Sequence, residues 1–333
     1  MYMRVQYRDM VRQLEKVLFS RGMDGPSAKF SATMIAETSL EGVYTHGANR
    51  FCSYVKNIDD KVVDVHARAE LVGRFGALER WDGKMGPGNL NAHLCMSRAI
   101  EMAKESTIAC VALANNSHWM RPGTYGLMAA QEDCIGILWT NTLPLMPAWG
   151  GKDAKVGNNP LVLAIPSNDG PVLVDAAMSL FSYGKMETYK REGRPLPFDG
   201  GFDSEGNPTR DAGAIMESKR PMPMGFWKGT SLALALDLIA AALSGGRTTH
   251  SIGTVVEKEV SQVFIAISLA NLPDRAAIEE KISASLADLK ASEAMDADTP
   301  VRFPGEKRKT LREENMRDGI PVDDKIWEKI CSL

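Results

Sequence analysis

The chain has 333 residues, of which 44% are hydrophobic and 24% charged, proportions that exclude a disordered chain and a disulfide-stabilised miniprotein. Its length suits about two domains, and its formal charge of −3 argues against a nucleic-acid partner. The longest apolar stretch, Leu232 to Leu243, contains Asp237 and is shorter than a membrane span, so it predicts a buried core helix and no membrane partner.

The cysteines and histidines bear on compartment and metal binding. The five cysteines are widely scattered and form no CxxC pair, which indicates reduced thiols in a cytoplasmic protein. The amino-terminal residues lack the apolar core of a secretory signal, which agrees with that location. The five histidines show no metal-ligand spacing with each other or with the cysteines, so no metal site is expected.

The amino-terminal region is predicted to be helical. Apolar residues repeat at helical spacing from Met10 to Leu18, and a second helix begins near Asp24 and runs towards Glu41. The segment 42–51 interrupts this pattern, and a further helical stretch ends at Ile58.

The middle of the chain is predicted to alternate between strands and helices. Short apolar runs bounded by turn residues predict strands at 71–81, 108–114, 135–141, 161–166 and 171–175. Helical spacing predicts helices at 89–105 and 125–132. Residues 190–226 are rich in Gly, Pro and Asp and predict a long irregular excursion. The remaining expected elements are a helix at 228–243, a strand at 260–269 and helices at 274–290 and 323–331.

This order of elements predicts an α+β fold. Segments 156–165 and 172–175 are too close for a helical crossover and therefore predict an antiparallel hairpin. We expect a mixed, largely antiparallel sheet domain at 76–274. Residues 1–75 and 275–333 are expected to form a helical domain, because domain termini often lie close in space.

No phosphate-binding fingerprint fits the Rossmann pattern. Residues Gly86 to Asn91 lie between a strand and a helix, but Asn91 replaces the third glycine that close helix–strand packing requires. A helix-capping turn is the better interpretation. No P-loop and no G-x-S-x-G motif is present, which argues against phosphate-cradling and serine-hydrolase chemistry.

His46 and Arg50 are the first candidates for chemistry. If the segment is helical, both side chains project from one face. A histidine can transfer a proton near neutral pH, and an arginine can hold a carboxylate with two hydrogen bonds. Reduction of a 2-oxo acid needs both functions. The alternative is a capping histidine beside a surface arginine.

Three further segments could carry a site. Residues 115–126, NNSHWMRPGTYG, follow a predicted strand and are dense in hydrogen-bonding groups, although a polar turn explains them equally well. Phe226 to Gly229 open a helix whose backbone amides and Lys228 could hold a diphosphate. The basic turn at 304–309 is more simply a solvated surface.

Several of these motifs resemble the malate/L-lactate dehydrogenase type 2 family. They are VYTHGANRF at 43–51, NSHWMR at 116–121, WTN at 139–141, GNNPL at 157–161, FSYG at 181–184, MGFWKG at 224–229 and PG at 304–305. Order and spacing are kept over essentially the whole chain. The resemblance implies a non-Rossmann oxidoreductase that uses NAD(H), with NADP(H) as the alternative, and works as a homodimer. It also implies that the sheet domain at 76–274 carries the cofactor and the catalytic residues. The helical domain formed by 1–75 and 275–333 is expected to contribute to dimerisation and to the substrate site.

The resemblance also implies roles for individual residues. His46 corresponds to the proton donor and His118 to a second active-site histidine, while Thr45, Arg50 and Arg121 are expected to bind substrate. Cofactor contacts are expected from Asn141, from Pro171, Val172, Leu173, Val174, Asp175, Ala176 and Ala177, from Trp227 and Lys228, and from Gly305, Glu306 and Lys307. The expected substrate is 2,3-diketo-L-gulonate. Malate, lactate, ureidoglycolate, sulfolactate or a cyclic imino acid are alternatives, as is a non-catalytic ligand-binding protein.

Three positions depart from the family pattern. Thr45 replaces a serine and adds a methyl group, and Ala177 replaces a serine in the cofactor segment. Glu306 replaces a histidine and brings a carboxylate near an expected cofactor phosphate, which should weaken binding. These departures bear on substrate and cofactor preference rather than on the reaction class.

Overall fold

The computed structural model describes residues 2–296 and 298–333. In chain order its strands are β1 (Tyr2–Val5), β2 (Glu70–Phe75), β3 (Leu78–Asp82), β4 (Ile108–Asn116), β5 (Cys134–Thr140), β6 (Met146–Pro147), β7 (Ala154–Val156), β8 (Leu161–Ile165), β9 (Val172–Ala176), β10 (Gly201–Phe202), β11 (Pro208–Thr209), β12 (Val260–Ser268) and β13 (Ile320–Asp323).

The helices complete the description of the chain. They are α1 (Tyr7–Ser20), α2 (Gly25–Leu40), α3 (Ala48–Asp59), α4 (Gly88–Ser106), α5 (Gly123–Gln131), α6 (Tyr183–Glu192), α7 (Ala212–Ser218), α8 (Trp227–Ser244), α9 (Thr249–Ile252), α10 (Arg275–Lys290), α11 (Lys307–Asp318) and α12 (Asp324–Ser332). A 3-10 turn, Tyr44–His46, precedes α3.

A seven-stranded sheet forms the centre of the molecule, in the order β2-β3-β4-β12-β5-β8-β9. Only β3 and β4 are parallel, and every other pair in this sheet is antiparallel. The central strand β12 is buried along nearly its whole length because helices cover both faces of the sheet around it. The prediction of a mixed, largely antiparallel, non-Rossmann sheet is confirmed.

The sheet contains one hairpin that the sequence predicted and one that it did not. Strands β8 and β9 pair antiparallel from Ile165 with Val172 to Leu161 with Ala176, as predicted. The single strand expected at 71–81 is instead two strands, β2 and β3, joined by a tight turn. Gly76 adopts a positive φ of 62° in this turn, a conformation that glycine adopts at no steric cost.

The two chain ends meet in the helical region. Strands β1 and β13 pair antiparallel, with Tyr2 opposite Asp323 and Val5 opposite Ile320. Sequence periodicity did not reveal this pairing because each strand has only four residues and no local partner. One hydrophobic cluster joins residues of α1, α2 and α3 to Ile320, Val322 and Ile330.

Two elements bear on the domain boundaries expected at residues 75 and 275, which remain predictions. Strand β2 lies on the amino-terminal side of the first boundary but pairs with the central sheet. Helix α10 lies beyond the second boundary, yet its first residue, Arg275, forms an ion pair with Asp133 beside the sheet at 2.8 Å. The helical region therefore recruits only part of the carboxy-terminal segment.

Other expected elements require correction. The stretch 190–226 is not irregular throughout: it contains the end of α6, the short β10–β11 hairpin and α7, which pack around Met186, Leu196 and Ile215. The basic turn expected at 304–309 is the start of α11. Turn residues obscured α7 and the β10–β11 hairpin because these elements are short and draw their apolar contacts from their neighbours. Helix α11 has 12 residues, but it contains too few apolar residues to show a helical period.

Helix α8 was predicted to be buried, and this is wrong for half of its surface. Ala233, Leu236 and Ala240 pack on the sheet, whereas Leu234 and Leu238 are each about half exposed, at 50% and 53%. An apolar composition on all sides normally indicates burial, but the structure leaves this face of α8 exposed. Among the described residues, no helix combines the length and hydropathy needed to cross a membrane.

Candidate active site

The candidate site is a cavity of about 250 Å³ where the helical region meets the sheet. Thr45, His46 and Arg50 reach it from the helical side. The sheet side contributes His118 from the loop after β4 and Gln262 from β12. The other lining residues are Val43, Trp119, Pro122, Thr140, Thr142, Leu145, Asn158, Pro160, Asp175, Ala177, Ser182, Tyr183, Gly184, Glu187 and Glu257.

The local backbone explains how His46 and Arg50 come to share the cavity. They do not lie on one continuous helix, because the non-helical backbone of Gly47 separates the 3-10 turn from α3. A Cβ atom at Gly47 would lie 2.0 Å from Ser39 Oγ, so only glycine fits this approach. Ser39 Oγ in turn accepts a hydrogen bond from the Ala48 amide at 2.8 Å and caps α3.

The two histidines stack in the cavity. The ring centroids of His46 and His118 are 6.1 Å apart, with an interplanar angle of 15°. The Met120 amide donates to His118 Nδ1 at 3.0 Å, which places the hydrogen of the neutral ring on Nε2. His46 Nδ1 contacts Thr45 Oγ1 at 3.2 Å, so Nε2 of His46 is the ring nitrogen left for a ligand.

Burial and positive charge keep both histidines neutral. Burial, followed by Arg50 and Arg121, lowers the pKa of His46 to about 4. Burial, Arg50 and His46 lower the pKa of His118 well below its usual value. At neutral pH both rings are therefore uncharged in the ligand-free protein, so neither can act as a general acid in that state. A negative charge beside Arg50 would raise the pKa of His46 back towards its usual value.

Carboxyl groups share the cavity with the arginine. Asp175 lies near the end of β9, opposite Val162 of β8, and accepts a hydrogen bond from the Gly123 amide at 2.9 Å. Solvent reaches Asp175 through the cavity, yet the surrounding protein raises the pKa of its carboxyl group. Burial also raises the pKa of Glu257, and the nearby Arg50 opposes that rise. Glu187 is a third carboxyl group in the lining.

Arg121, expected to bind substrate, lies outside the lining. It is buried and forms an ion pair with the equally buried Glu41, with 2.5 Å between Arg121 Nη1 and Glu41 Oε2. Arg308 of α11 contacts the other oxygen of Glu41 at 2.8 Å. Arg121 therefore acts on the site through its charge, which lowers the pKa of His46.

The segments expected to hold a cofactor meet along β9, an edge strand of the sheet. The Leu173 amide donates to the Pro304 carbonyl oxygen at 2.9 Å. Gly305 has a φ of 94°, and a Cβ atom there would lie 3.0 Å from the Leu173 side chain and 3.1 Å from the Pro171 oxygen. The glycine thus fits the 171–177 and 305–307 segments against each other, and Ala177 at the far end reaches the cavity.

The third segment expected to hold the cofactor lies beyond the far end of β9. The Met224 amide donates to the Met178 carbonyl oxygen at 2.8 Å, which places the start of α8, Trp227 and Lys228, just past Ala177. Glu306 is paired with Lys290 at 2.6 Å, and this cation offsets the carboxylate that departs from the family pattern. The start of α8 offers backbone amides and Lys228, groups that could hold a phosphate.

Asn141 does not reach the cavity. Its Nδ2 donates to Asp237 Oδ1 at 2.8 Å and to the Arg247 carbonyl oxygen at 2.7 Å. Its Oδ1 accepts a hydrogen bond from the Ser261 amide at 2.7 Å. These bonds hold β5, α8 and β12 together, so the structure places Asn141 in the framework rather than in the lining.

Gln262 and Glu257 line the cavity but were not predicted from the sequence. Gln262 is the amide side chain in the otherwise apolar and hydroxyl-bearing strand VSQVFIAIS, and this contrast is the signal that could have found it. Glu257 lies in a loop between α9 and β12 with no local motif. Among the described residues, no group of three or more His, Cys, Asp or Glu side chains is arranged to hold a metal ion.

Known proteins resemble the chain over its full length. The malate/L-lactate dehydrogenase family matches residues 5–331. A 2,3-diketo-L-gulonate reductase of Escherichia coli O17:K52:H18 (strain UMN026 / ExPEC) is 42% identical over 334 residues, which cover 99% of this chain and 100% of that relative. Malate dehydrogenase from Pyrococcus horikoshii OT3 is structurally similar, with a TM-score of 0.89, 28% identity and coverage of 98% of this chain and 93% of that one.

A second solved structure extends the comparison to another substrate. Sulfolactate dehydrogenase from Methanocaldococcus jannaschii has a TM-score of 0.89 and 26% identity, covering 99% of this chain and 97% of that one. These findings confirm the resemblance drawn from the motifs, and they imply a nicotinamide cofactor. The chain belongs to the malate/L-lactate dehydrogenase family.

Proposed function

We propose that the protein reduces the ketone of a small 2-oxo acid with a nicotinamide cofactor. The observation that carries the proposal is the shared cavity of His46, Arg50 and His118, which combines proton transfer with carboxylate binding. When bound, the reduced nicotinamide supplies the hydride. Pro171 to Ala177, Trp227, Lys228 and Gly305 to Lys307 would hold the cofactor, and the protein itself orients the acid and provides the proton.

His46 is the proposed proton donor, and substrate binding prepares it. In the ligand-free protein the pKa of His46 is lowered by burial and by the charges of Arg50 and Arg121. A carboxylate held by Arg50 offsets one of these charges and raises the pKa of His46 towards neutrality. Because Thr45 contacts Nδ1 of this ring, the proton would pass from Nε2 to the developing alkoxide.

The charges of the cavity favour a substrate with one carboxylate. Arg50 is the cation in its lining, whereas Asp175, Glu187 and Glu257 are carboxyl groups. A second carboxylate or a sulfonate would face these groups at a cost, while hydroxyl groups can donate to them. This supports 2,3-diketo-L-gulonate, which is named in the curated relative, over the acids of malate and sulfolactate dehydrogenases.

A panel of 2-oxo acids tests the proposal. Oxidation of NADH is followed with 2,3-diketo-L-gulonate, pyruvate, oxaloacetate, sulfopyruvate, the 2-oxo acid derived from ureidoglycolate and a cyclic imino acid. We expect kcat/KM to be highest for 2,3-diketo-L-gulonate and lowest for the dianions. Highest activity with another member selects one of the alternative dehydrogenases. Binding without turnover of any member selects the non-catalytic alternative.

We propose NAD(H) as the preferred cofactor, with NADP(H) as the alternative. Glu306 lies in a segment assigned to the cofactor by family resemblance, and its carboxylate would repel an additional phosphate. Lys290 pairs with Glu306 and reduces this repulsion without reversing its sign. Repeating the panel with NADPH measures the preference, and a higher kcat/KM with NADPH contradicts it.

We propose that two copies form a C₂ homodimer through the exposed face of α8, in place of the helical domain to which the sequence prediction assigned dimerisation. Leu232, Leu234, Leu238 and Ile239 form an apolar stripe on this face, exposed by 38–53%. Apolar patches of this kind mark contacts with a partner, and a C₂ dimer is the commonest soluble assembly. Light scattering should give twice 36.4 kDa. Leu238→Asp should give the monomer. A wild-type monomer at all concentrations contradicts the proposal.

A cytoplasmic location is proposed from the scattered cysteines alone.

A further inference from the structure

Gln262 is a fully buried side chain whose amide nitrogen has no hydrogen-bond partner among the described residues. It lies on the central strand β12 and lines the cavity of His46 and His118. A buried N–H group without an acceptor is costly, so it is rarely kept without a reason. The neighbouring Ser261 is also buried, but its hydroxyl group has a partner, since it donates to the Arg247 carbonyl oxygen at 2.8 Å.

The backbone directs Gln262 towards the cavity. The register of β12 against β4 shifts between Val260 and Gln262, where Ser261 of β12 lies opposite two residues of β4. The β-bulge therefore lies in β4, at Ala114 and Asn115, directly before the Asn116 side chain that contacts Gln262. Bulges re-aim side chains and are frequent beside active sites. From Gln262 onwards, β12 is paired on both sides, with β4 and with β5, so the strand holds this side chain rigidly.

A chain of three buried amides determines which end of Gln262 is free. The Ala69 amide donates to Asn91 Oδ1 at 2.9 Å, and Asn91 Nδ2 donates to the Gly83 carbonyl oxygen at 2.9 Å. These two backbone groups fix the orientation of Asn91, because an N–H can only donate and a carbonyl oxygen can only accept.

The fixed orientation passes along the chain of amides. Asn91 Nδ2 also donates to Asn116 Oδ1 at 3.0 Å, which turns Asn116 Nδ2 towards Gln262. Asn116 Nδ2 then donates to Gln262 Oε1 at 2.8 Å. The oxygen of Gln262 is therefore occupied, and its NH₂ group is the end left to face the cavity. The cavity is presented with a donor rather than an acceptor.

We propose that Gln262 is a ligand-binding residue whose Nε2–H donates to a carbonyl oxygen of the bound 2-oxo acid or of the nicotinamide carboxamide. The inference deepens the proposed function and rests on it. Both ligands carry the same acceptor, and the donor lies in the cavity that holds the proposed proton donor and carboxylate anchor. A rigid donor beside a ketone also stabilises negative charge that develops on its oxygen.

The test replaces the donor of Gln262 in two ways. Gln262→Glu retains an oxygen that accepts from Asn116 but turns the free end into an acceptor. Gln262→Met removes the donor without adding charge, so it remains informative if the carboxylate impairs folding, and it also removes the oxygen that accepts from Asn116. Gln131→Glu, on an exposed residue at the end of α5, is the matched control for the charge change. Thermal unfolding checks that each variant is folded.

Two measurements identify the ligand. KM for the 2-oxo acid is measured at saturating NADH, and Kd for NADH is measured by fluorescence without the acid. We expect both Gln262 variants to lower kcat/KM about tenfold or more, as for loss of one hydrogen bond in a closed site. A raised KM assigns the bond to the acid, and a raised Kd assigns it to the cofactor.

The outcomes separate this inference from the proposed function. Folded Gln262 variants with wild-type KM, kcat and Kd overturn the inference, while wild-type turnover leaves the proposed function intact. A wild-type protein that binds NADH but turns over no member of the panel contradicts the proposed function. In that case the Kd for NADH still decides whether Gln262 binds the cofactor.

Discussion

The two walls of the cavity are built in different ways. The helical wall presents Thr45, His46 and Arg50 from one short segment, and its chemistry depends on a cation that a substrate can neutralise. The sheet wall presents His118, Asp175 and Gln262 from three separate strands or the loops that follow them.

The difference lies in how each wall is held. The stacking of His46 on His118 crosses between the walls, but the sheet wall is fixed by backbone pairing and by the buried amides of Asn91 and Asn116. In the helical wall, the positions of His46 and Arg50 depend on a local contact, the close approach of Gly47 to Ser39. We infer that the helical wall carries proton transfer and charge recognition, while the sheet wall fixes the position of the ligand.

The largest expected effect comes from removing the proton donor of the helical wall. His46→Asn should lower kcat by about 10²–10⁴, the usual contribution of a general acid, while the Kd for NADH stays near the wild-type value. Steady-state kinetics and fluorescence titration measure the two quantities. His250→Asn, on the surface of α9, is the control. Retention of more than about a tenth of wild-type kcat would move the role across the cavity to His118.

A smaller effect is expected from changing the shape of the cation while keeping its charge. Arg50→Lys replaces a planar group that grips a carboxylate by a point charge. The loss in kcat/KM for the 2-oxo acid should correspond to roughly 1.5–3 kcal/mol, mostly through KM. Some loss in kcat is expected because a misplaced carboxylate also misplaces the ketone.

The control for the arginine is Arg12→Lys, at a side chain that is 81% exposed. Kinetics at saturating NADH should show no change for this control. Unchanged KM and kcat in Arg50→Lys as well would remove Arg50 from substrate binding and leave the helical wall without its anchor. A large change in Kd for NADH would assign Arg50 to the cofactor instead.

The smallest expected effect is on stability, and it tests the electrostatics of the helical wall without any ligand. The pKa of His46 is about 4 in the folded protein and about 6.5 when unfolded, so between these values the unfolded chain binds the extra proton. Stability from this group is therefore complete above pH 6.5 and falls as the pH decreases towards 4.

Urea unfolding of wild-type protein and His46→Asn at pH 7 and pH 4.5 measures this contribution. The wild type should lose about 1–2 kcal/mol more than the variant on acidification, a value reduced for the partial exposure of the ring. His118 is present in both proteins, so its contribution to the pH dependence of stability largely cancels in the comparison. Equal losses would show that the ring of His46 is not held in the neutral form.

Much of the fold and of the helical wall could be predicted from the sequence. Periodicity predicted the central strands and most helices, and short spacing predicted the β8–β9 hairpin, because these elements depend on local geometry. His46 and Arg50 were predicted to act together from four residues of spacing. They line one cavity, although Gly47 breaks the helix that the prediction assumed.

The tertiary structure alone decided the rest. The pairing of β1 with β13 joins residues more than 300 positions apart, and no local pattern encodes it. The exposed face of α8 depends on which side of an evenly apolar helix meets the sheet. Arg121 and Asn141 had the polarity expected of ligand-binding residues, yet buried partners occupy them. Gln262 became a candidate only through register, because three strands and a chain of amides determine that its free end is a donor.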